Sequence, residues 1–270
     1  MQTHRQRLDT IPTAELLKDD QRGSKLTFDL AGCHFDLSRQ RFDLSALDDL
    51  LALARDADVE SLRDALFAGD KINVSENRPV LHMALRDGVP NLAANLVAEI
   101  STARQKLYQC AESIRSGTWR GHSNKPITDV VHIGIGGSHL GPELITQALS
   151  KYATASPKIH FVANIDGSDL ARTLGSLNPE TTLFIVASKS FSTVETLENA
   201  RSARNWFLER TCNTAAIAQH FIGITNNIAA AKQFGLIEEN LFAIWSWVGG
   251  RYSLWSATVS YTHLTLPTKA

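Results

Sequence analysis

Apolar residues in the first 120 positions recur three and four residues apart, which is the spacing of an amphipathic helix. Two groups follow this spacing: Leu47, Leu50, Leu51 and Leu53, and then Leu92, Leu96, Val97 and Ile100. Residues 27–37 instead alternate apolar and polar side chains, which predicts a short hairpin. We therefore predict that residues 1–125 form a mainly helical N-terminal region.

The pattern changes near Pro126, where four short β-rich runs begin, each followed by a helix-like segment. The runs are residues 130–135, 159–164, 183–187 and 221–225. Strand and helix alternating in this way predict an α/β fold with a doubly wound parallel sheet flanked by helices, over residues 126–258. Ligands bind such sheets at the carboxyl ends of the strands. Residues 259–270 are Thr-rich without a helical period, and we predict a frayed end there.

Composition and charge narrow the classes of function. The 270 residues are 43% hydrophobic and 20% charged, which is typical of a globular protein. Lys and Arg total 27 against 28 Asp and Glu, so no basic face for nucleic acid or for a membrane surface is expected. Cys33, Cys110 and Cys212 form neither a disulfide framework nor a zinc-ligand pattern. With no apolar secretory segment at the N-terminus, we expect a cytoplasmic protein.

The first predicted strand of the sheet runs into a glycine-rich turn, residues 134–142 (GIGGSHLGP). Glycine allows the backbone to approach a ligand closely, and the start of the following helix suits an anion such as phosphate. A dinucleotide fingerprint would need glycine at His139, and a Walker loop would need Gly-Lys-Ser/Thr where Gly141 and Pro142 stand. A nucleophile elbow would need glycine at Leu140. A tight turn without a ligand remains the alternative.

The third predicted strand ends in residues 187–196 (ASKSFSTVET), where four hydroxyls and the ammonium of Lys189 crowd a second strand-to-helix turn. Compact donors, free N–H groups and a positive charge together suit a phosphate dianion. The alternative is that Ser192 or Thr193 only caps the next helix. Because both turns follow strands of one parallel sheet, we expect them on the same edge, binding one phosphorylated small molecule.

A third motif, residues 248–254 (VGGRYSL), places a guanidinium beside two glycines. Arg251 is always cationic, so it cannot serve as a base, but it can stabilise an enediolate oxygen as charge develops. A surface ion pair is the alternative. We expect His132 and His160, inside predicted strands, and His82, in a helical stretch, to be packed rather than catalytic.

Read in order, these motifs resemble the phosphoglucose isomerase family. The resemblance rests on residues 133–142 (IGIGGSHLGP), 188–196 (SKSFSTVET) and 247–257 (WVGGRYSLWSA), and residues 76–86 (ENRPVLHMALR) and 164–167 (NIDG) agree with it. It implies the fold of that family's first sugar isomerase (SIS) subdomain.

The resemblance implies interconversion of glucose 6-phosphate and fructose 6-phosphate, in glycolysis and gluconeogenesis, with no cofactor and no metal. It also implies roles for residues that match the motifs: sugar-phosphate contacts from Gly137 and Ser138, phosphate contacts from Ser188, Lys189, Ser190 and Thr193, and a position near the C1 and C2 oxygens for Arg251. Members of the family often carry an acid at the position of His139. The role of His139 is therefore open.

Family members continue past the third motif into a second SIS subdomain, which carries the glutamate base, the ring-opening histidine and a further lysine. That histidine comes from the neighbouring subunit, so full-length relatives are expected to be homodimers. Residues 259–270 depart from the pattern, and we expect an N-terminal fragment with a non-native tail. Asp166 and Glu195 are not convincing as the base, so we expect substrate binding with negligible turnover.

Two other classes of function stay open. A sugar-phosphate-sensing SIS module would need no arginine at position 251, and a nucleotide-dependent oxidoreductase would need glycine at position 139. If the second subdomain is absent, Trp245, Trp247 and Trp255 are expected to lose partners and to form an exposed apolar patch.

Overall fold

The computed structural model describes residues 2–86, 89, 91–153 and 157–257. The chain divides into two compact units, Met1–Ala65 and Leu66–Ala270. The predicted tail, residues 259–270, lies outside the described residues. In the described part of the chain, none of the helices combines the length and the hydropathy that a bilayer-spanning segment needs.

The first unit is helical with one hairpin. Its helices are α1 (Gln2–Asp9), α2 (Thr13–Leu16), α3 (Asp20–Leu26) and α4 (Leu44–Asp56), and α5 (Val59–Ala68) runs across the boundary between the units. The hairpin pairs β1 (Thr27–Leu30) with β2 (Cys33–Asp36), as the alternating pattern predicts. Ala31 and Gly32 both have positive φ angles, which matches the twist that a two-residue hairpin turn requires.

The second unit contains a five-stranded sheet that is parallel throughout. Its strands are β3 (Asp129–Gly134), β4 (Lys158–Val162), β5 (Thr182–Ala187), β6 (Phe221–Thr225) and β7 (Leu241–Ala243). Its α-helices are α6 (Ala94–Arg115), α7 (Leu140–Ala148), α8 (Gly167–Gly175), α9 (Val194–Thr211), α10 (Ile217–His220) and α11 (Ile228–Phe234). The parallel sheet and its four predicted strands are confirmed. The sequence did not predict β7.

Apolar side chains cover both faces of the sheet, which is why its strands read as nearly continuous apolar runs. On β5, Leu183 and Ile185 face one hydrophobic cluster with α6, while Phe184 and Val186 face a second cluster with α8 and α9. All of these β5 side chains are almost completely buried. The sheet is therefore the middle layer of the second unit.

The strand order β4-β3-β5-β6-β7 places a topological switch point between β3 and β5. The chain leaves β3 toward β4 on one side and later returns to β5 on the other side. The last residues of these two strands, Gly134 and Ala187, are partners in the register. The turns that follow β3 and β5 therefore start side by side, at the edge where open α/β sheets bind ligands.

Candidate functional site

The glycine-rich turn after β3 lies against the backbone of the third motif. A Cβ built on Gly137 would stand 1.8 Å from the carbonyl oxygen of Gly250, which no side chain could tolerate. Gly136 has a φ of +59°, in the left-handed region that glycine adopts most readily. One turn further, a Cβ on Gly141 would stand 3.1 Å from Leu254. These glycines let two turns pack backbone to backbone although Gly137 and Gly250 are 113 positions apart in the sequence.

A buried histidine in β3 forms a hydrogen bond to the backbone of the glycine-rich turn. His132 is completely buried in β3, and its Nε2–H donates to the carbonyl oxygen of Ser138 at 2.6 Å. Burial lowers the pKa of His132 to about 4. The ring is therefore neutral at pH 7, and it fixes the position of Ser138. This agrees with the structural role expected for a histidine inside a strand.

The turn after β5 groups its hydroxyls as the sequence predicts. Ser188 is buried, and its hydroxyl donates to Oγ1 of Thr193 at 3.2 Å, while the Ser192 hydroxyl donates to Oγ of Ser190 at 2.7 Å. Thr193 stands at the N-cap position of α9, yet its side chain makes no capping hydrogen bond. Phe191 has a φ of +49° and lies at the tip of the turn, between the two residues of each hydroxyl pair.

The residues after β6 brace this turn, and sequence reasoning missed them. The Asn226 N–H and the Thr225 hydroxyl donate to the Lys189 carbonyl oxygen at 2.9 and 3.2 Å. The Asn227 amide donates to the Ser190 carbonyl oxygen at 3.1 Å, and its Oδ1 caps α11. A Thr-Asn-Asn run directly after a buried strand was the available signal, because these residues favour turns and caps.

Lys189 connects the turn after β5 to the third motif. Its ammonium donates to the carbonyl oxygens of Ser246 at 2.8 Å and of Val248 at 2.6 Å. Burial lowers the pKa of Lys189 from its ordinary value, and the nearby Arg78 lowers it further, whereas Glu76 raises it. Two of the three N–H donors of Lys189 are thus engaged with the segment that leads to Gly249 and Gly250.

The third motif forms a 3₁₀ turn, Gly250–Trp255, and is supported by the segment 76–86. The Leu81 N–H donates to the Trp247 carbonyl oxygen at 3.2 Å, and the ring of His82 stacks on Tyr252 with centroids 3.8 Å apart. The side chain of Arg251 is exposed and makes no hydrogen bond or ion pair with any described residue. The surface ion pair considered above is therefore absent from the described part of the chain.

The prediction of an exposed tryptophan patch is wrong for two of the three tryptophans. Trp245 and Trp247 are half-buried, with stacked rings 4.9 Å apart, and the indole N–H of Trp245 donates to Glu99 at 2.5 Å. Trp255 is 50% exposed and lies under the guanidinium of Arg86, 4.5 Å from the ring centroid. Trp245 and Trp247 therefore have packing partners within this unit. The sequence pattern did not indicate these contacts.

Two of the acidic groups near this edge, Asp166 and Glu143, have structural partners. Asp166 caps α8 by accepting the Ser168 N–H at 2.9 Å, and hydrogen bonds from Ser168 lower the pKa of this carboxyl. Glu195 lies half-buried in the first turn of α9. His139 faces Glu143, with 3.1 Å between Nε2 and the carboxylate, and its ring meets the edge of Phe161.

Comparison with known proteins gives consistent matches. The family model for phosphoglucose isomerase matches residues 36–266. Two glucose-6-phosphate isomerases, from Burkholderia pseudomallei (strain 1106a) and Burkholderia multivorans (strain ATCC 17616 / 249), are 47% and 48% identical over 236 residues. These alignments cover 87% of this chain and 43% of each relative, so the chain spans less than half the length of the curated relatives it matches.

A solved structure gives the same match at the level of the fold. The crystal structure of a glucose-6-phosphate isomerase from Chlamydia trachomatis superimposes with a TM-score of 0.78 at 25% sequence identity. The superposition covers 94% of this chain and 49% of that one. A hypothetical protein from Thermus thermophilus matches at a TM-score of 0.58, also at 25% identity.

Proposed function

Since the chain belongs to the phosphoglucose isomerase family, we propose that it supplies the sugar-phosphate-binding half of an aldose–ketose isomerase. The reaction is the interconversion of glucose 6-phosphate and fructose 6-phosphate. One observation carries the proposal: the three motifs meet at the switch point of the sheet. Gly137 packs on Gly250, and Lys189 donates to Val248.

In this proposal the phosphate lies in the turn between β5 and α9. The hydroxyls come from a compact group that includes a buried serine, and α9 is long enough for its dipole to favour an anion at its start. The residues assigned to the sugar phosphate are Gly137, Ser138, Ser188, Lys189, Ser190 and Thr193. Lys189 contributes positive charge beside the phosphate while it holds the third motif.

Arg251 is the residue that we assign to the chemistry. Its guanidinium is exposed at the same edge of the sheet, where it can face the C1 and C2 oxygens of a bound sugar. Moving a proton between C2 and C1 also requires a base of tuned pKa, and Arg251 cannot provide one. Asp166 is engaged as a helix cap with a lowered pKa. We therefore assign the base to the portion of the relatives that this chain does not span.

A second candidate function is a sugar-phosphate-binding SIS module without chemistry. The observation that favours it is the capped state of Asp166, since its hydrogen bond from Ser168 and its lowered pKa make this acid a poor base. Both functions predict binding of a phosphorylated sugar. They differ in whether Arg251 contributes to turnover.

We also propose a homodimer for the full-length protein and the cytoplasm as its compartment. Cys33, Cys110 and Cys212 carry free thiols, which suits a reducing compartment. The net charge of -1 argues against nucleic acid as a partner.

A coupled assay tests the proposed function. The 270-residue chain is assayed alone, and in a second, joined protein the part of the Burkholderia multivorans relative that follows the matched segment replaces residues 259–270. We expect no turnover from the chain alone and enzymatic turnover from the joined protein. In that protein Arg251→Ala should lower kcat at least about 100-fold, the usual cost of removing a preorganised stabiliser of developing charge, while the exposed control Arg172→Ala leaves kcat unchanged.

Two outcomes would contradict the proposal. Ordinary turnover by the 270-residue chain would place the base within it. An active joined protein whose kcat is unaffected by Arg251→Ala would leave Arg251 without a catalytic role.

A further inference from the structure

A groove of about 490 Å³ lies between α9 and α11 and is lined by Phe191 of the phosphate turn. Its floor is aromatic and aliphatic, and its rim carries two cations and two amides. The floor includes Phe191 and Phe234, and the rim consists of Arg201, Arg204, Asn205 and Gln233. A volume of this size is within the range of pockets that hold small molecules.

Arg204 is the unusual member of this groove. It is half-buried, and its Nε is buried without a hydrogen-bond partner among the described residues. Its guanidinium lies over the ring of Phe234, 5.9 Å from the centroid. No carboxylate in the described part of the chain forms an ion pair with it. The positive charge of Arg204 is therefore not balanced within the described residues, and the groove that it lines favours an anionic ligand at this position.

Arg201 adds a second guanidinium one helical turn earlier on α9. It pairs with Glu198, so its charge is already balanced within the helix, although its remaining N–H groups can still donate. The Asn205 and Gln233 side chains are exposed at the rim and add neutral amide donors. Guanidinium groups present forked donors that match a carboxylate or a phosphate, and the aromatic floor suits an apolar portion.

We propose that this groove is a second binding site, for a small organic anion that carries a phosphate or carboxylate group on an apolar body. The anionic group meets Arg204, and the apolar body lies on Phe234. The ring of Phe191 completes the floor, 5.8 Å from Phe234 and edge-on to it. Phe191 also belongs to the phosphate turn, so the two sites share a wall without sharing their polar contacts.

Calorimetry with two probes, phenyl phosphate and benzoate, tests the proposal on the 270-residue chain. Because phenyl phosphate could also enter the phosphate turn, both probes are measured in the Ser188→Ala background. We expect at least one probe to bind there, and Arg204→Gln to weaken that binding at least tenfold. The matched control is Arg210→Gln, which removes an arginine that lies over Trp206 on the same helix. It should change the affinity less than twofold.

A substitution at the rim of the groove keeps the proposal testable if the Arg204→Gln variant does not fold. Asn205→Asp places a negative charge at an exposed position and should also weaken binding at least tenfold, with an unchanged melting temperature. Phosphate-only binding would identify phosphate monoesters as the ligand class, and benzoate-only binding would identify carboxylates. The proposal is wrong if neither probe binds in the millimolar range, if Arg204→Gln folds and binds normally, or if binding disappears with Ser188→Ala alone.

Discussion

Gly137 is the residue on which the proposed site depends most directly. It is not required for its own φ angle but for the space that its missing Cβ leaves to Gly250. Backbone atoms cannot move aside as a flexible side chain can, so any larger residue must separate the two turns. Arg251 follows Gly250 directly, and its position therefore depends on a hydrogen atom at residue 137.

We predict that Gly137→Ala destabilises the chain by at least about 2 kcal/mol, within the usual cost of overpacking, and abolishes fructose 6-phosphate binding. Chemical denaturation and calorimetry measure the two effects. The control is Gly175→Ala, because a Cβ there meets no atom within 4 Å. That variant should be neutral or stabilised by less than about 1 kcal/mol, since alanine is the better helix former. A Gly137→Ala chain of normal stability and affinity would contradict the backbone contact.

Lys189 gives a second prediction at the scale of one residue. Lys189→Ala removes positive charge beside the phosphate turn and both hydrogen bonds to the third motif. We expect fructose 6-phosphate binding to weaken by at least about 1.5 kcal/mol, the lower value for hydrogen bonds to charged groups. Lys232→Ala, which breaks an ion pair with Glu238 on the surface, is the control. Calorimetry showing equal losses for both variants would remove the assignment of Lys189.

At the scale of elements, the sequence predicted those strands and turns that depend only on the local pattern of apolar, polar and glycine residues. Four strands and the hairpin follow from runs of apolar or alternating residues, and both strand-to-helix turns follow from glycine and hydroxyl clusters. The strand β7 was missed because its three residues, Leu241–Ala243, are too few to show a period and precede a tryptophan-rich stretch. Its parallel pairing with β6 is a tertiary contact that composition does not encode.

The site was predicted in its residues but not in its connections. Hydroxyl clusters and glycines are visible in the chain, whereas the contact of Gly137 with Gly250 joins positions far apart in sequence. The charge of Lys189 suggested a phosphate contact from the sequence alone. Its hydrogen bonds to the carbonyl oxygens of Ser246 and Val248 join distant positions, and the sequence did not indicate them. Thr225 and Asn227 act through backbone groups of a neighbouring loop, which only the strand order brings close.

The strand β3 makes stability depend on pH through His132. Its folded pKa of about 4 lies below the ordinary value of 6.5, so the unfolded chain binds more protons between these limits. The stabilisation is present above pH 6.5 and is lost as the pH falls toward 4, by about 3 kcal/mol in total. Burial also lowers the pKa of His220, which acts in the same direction.

Denaturation curves between pH 7 and 5 check this prediction. His132→Gln keeps a donor that can reach the Ser138 carbonyl oxygen but does not titrate, so its stability should fall less steeply over this range. The control is Gly175→Ala, which changes no titratable group and should leave the slope unchanged. Parallel slopes for the His132→Gln and original chains would show that His132 does not carry the effect.

At the scale of the whole molecule, every residue assigned to the site lies in the second unit, Leu66–Ala270. Helices of that unit pack on both faces of its sheet, so the site is supported by a core from the same unit. The chain as a whole has a net charge of only -1, so attraction for a sugar phosphate must come from local groups such as Lys189 and Arg251. Sugar-phosphate binding is therefore expected of this chain by itself.

The most direct test of this claim is calorimetry of the 270-residue chain with fructose 6-phosphate and with fructose. Charge-assisted contacts to phosphate should provide most of the affinity, so the phosphorylated sugar is predicted to bind and fructose is not. Ser188→Ala with Thr193→Ala should remove the binding, because these hydroxyls form one of the two pairs in the phosphate turn. Equal affinity for the two sugars, or an unchanged affinity in the double variant, would contradict the account.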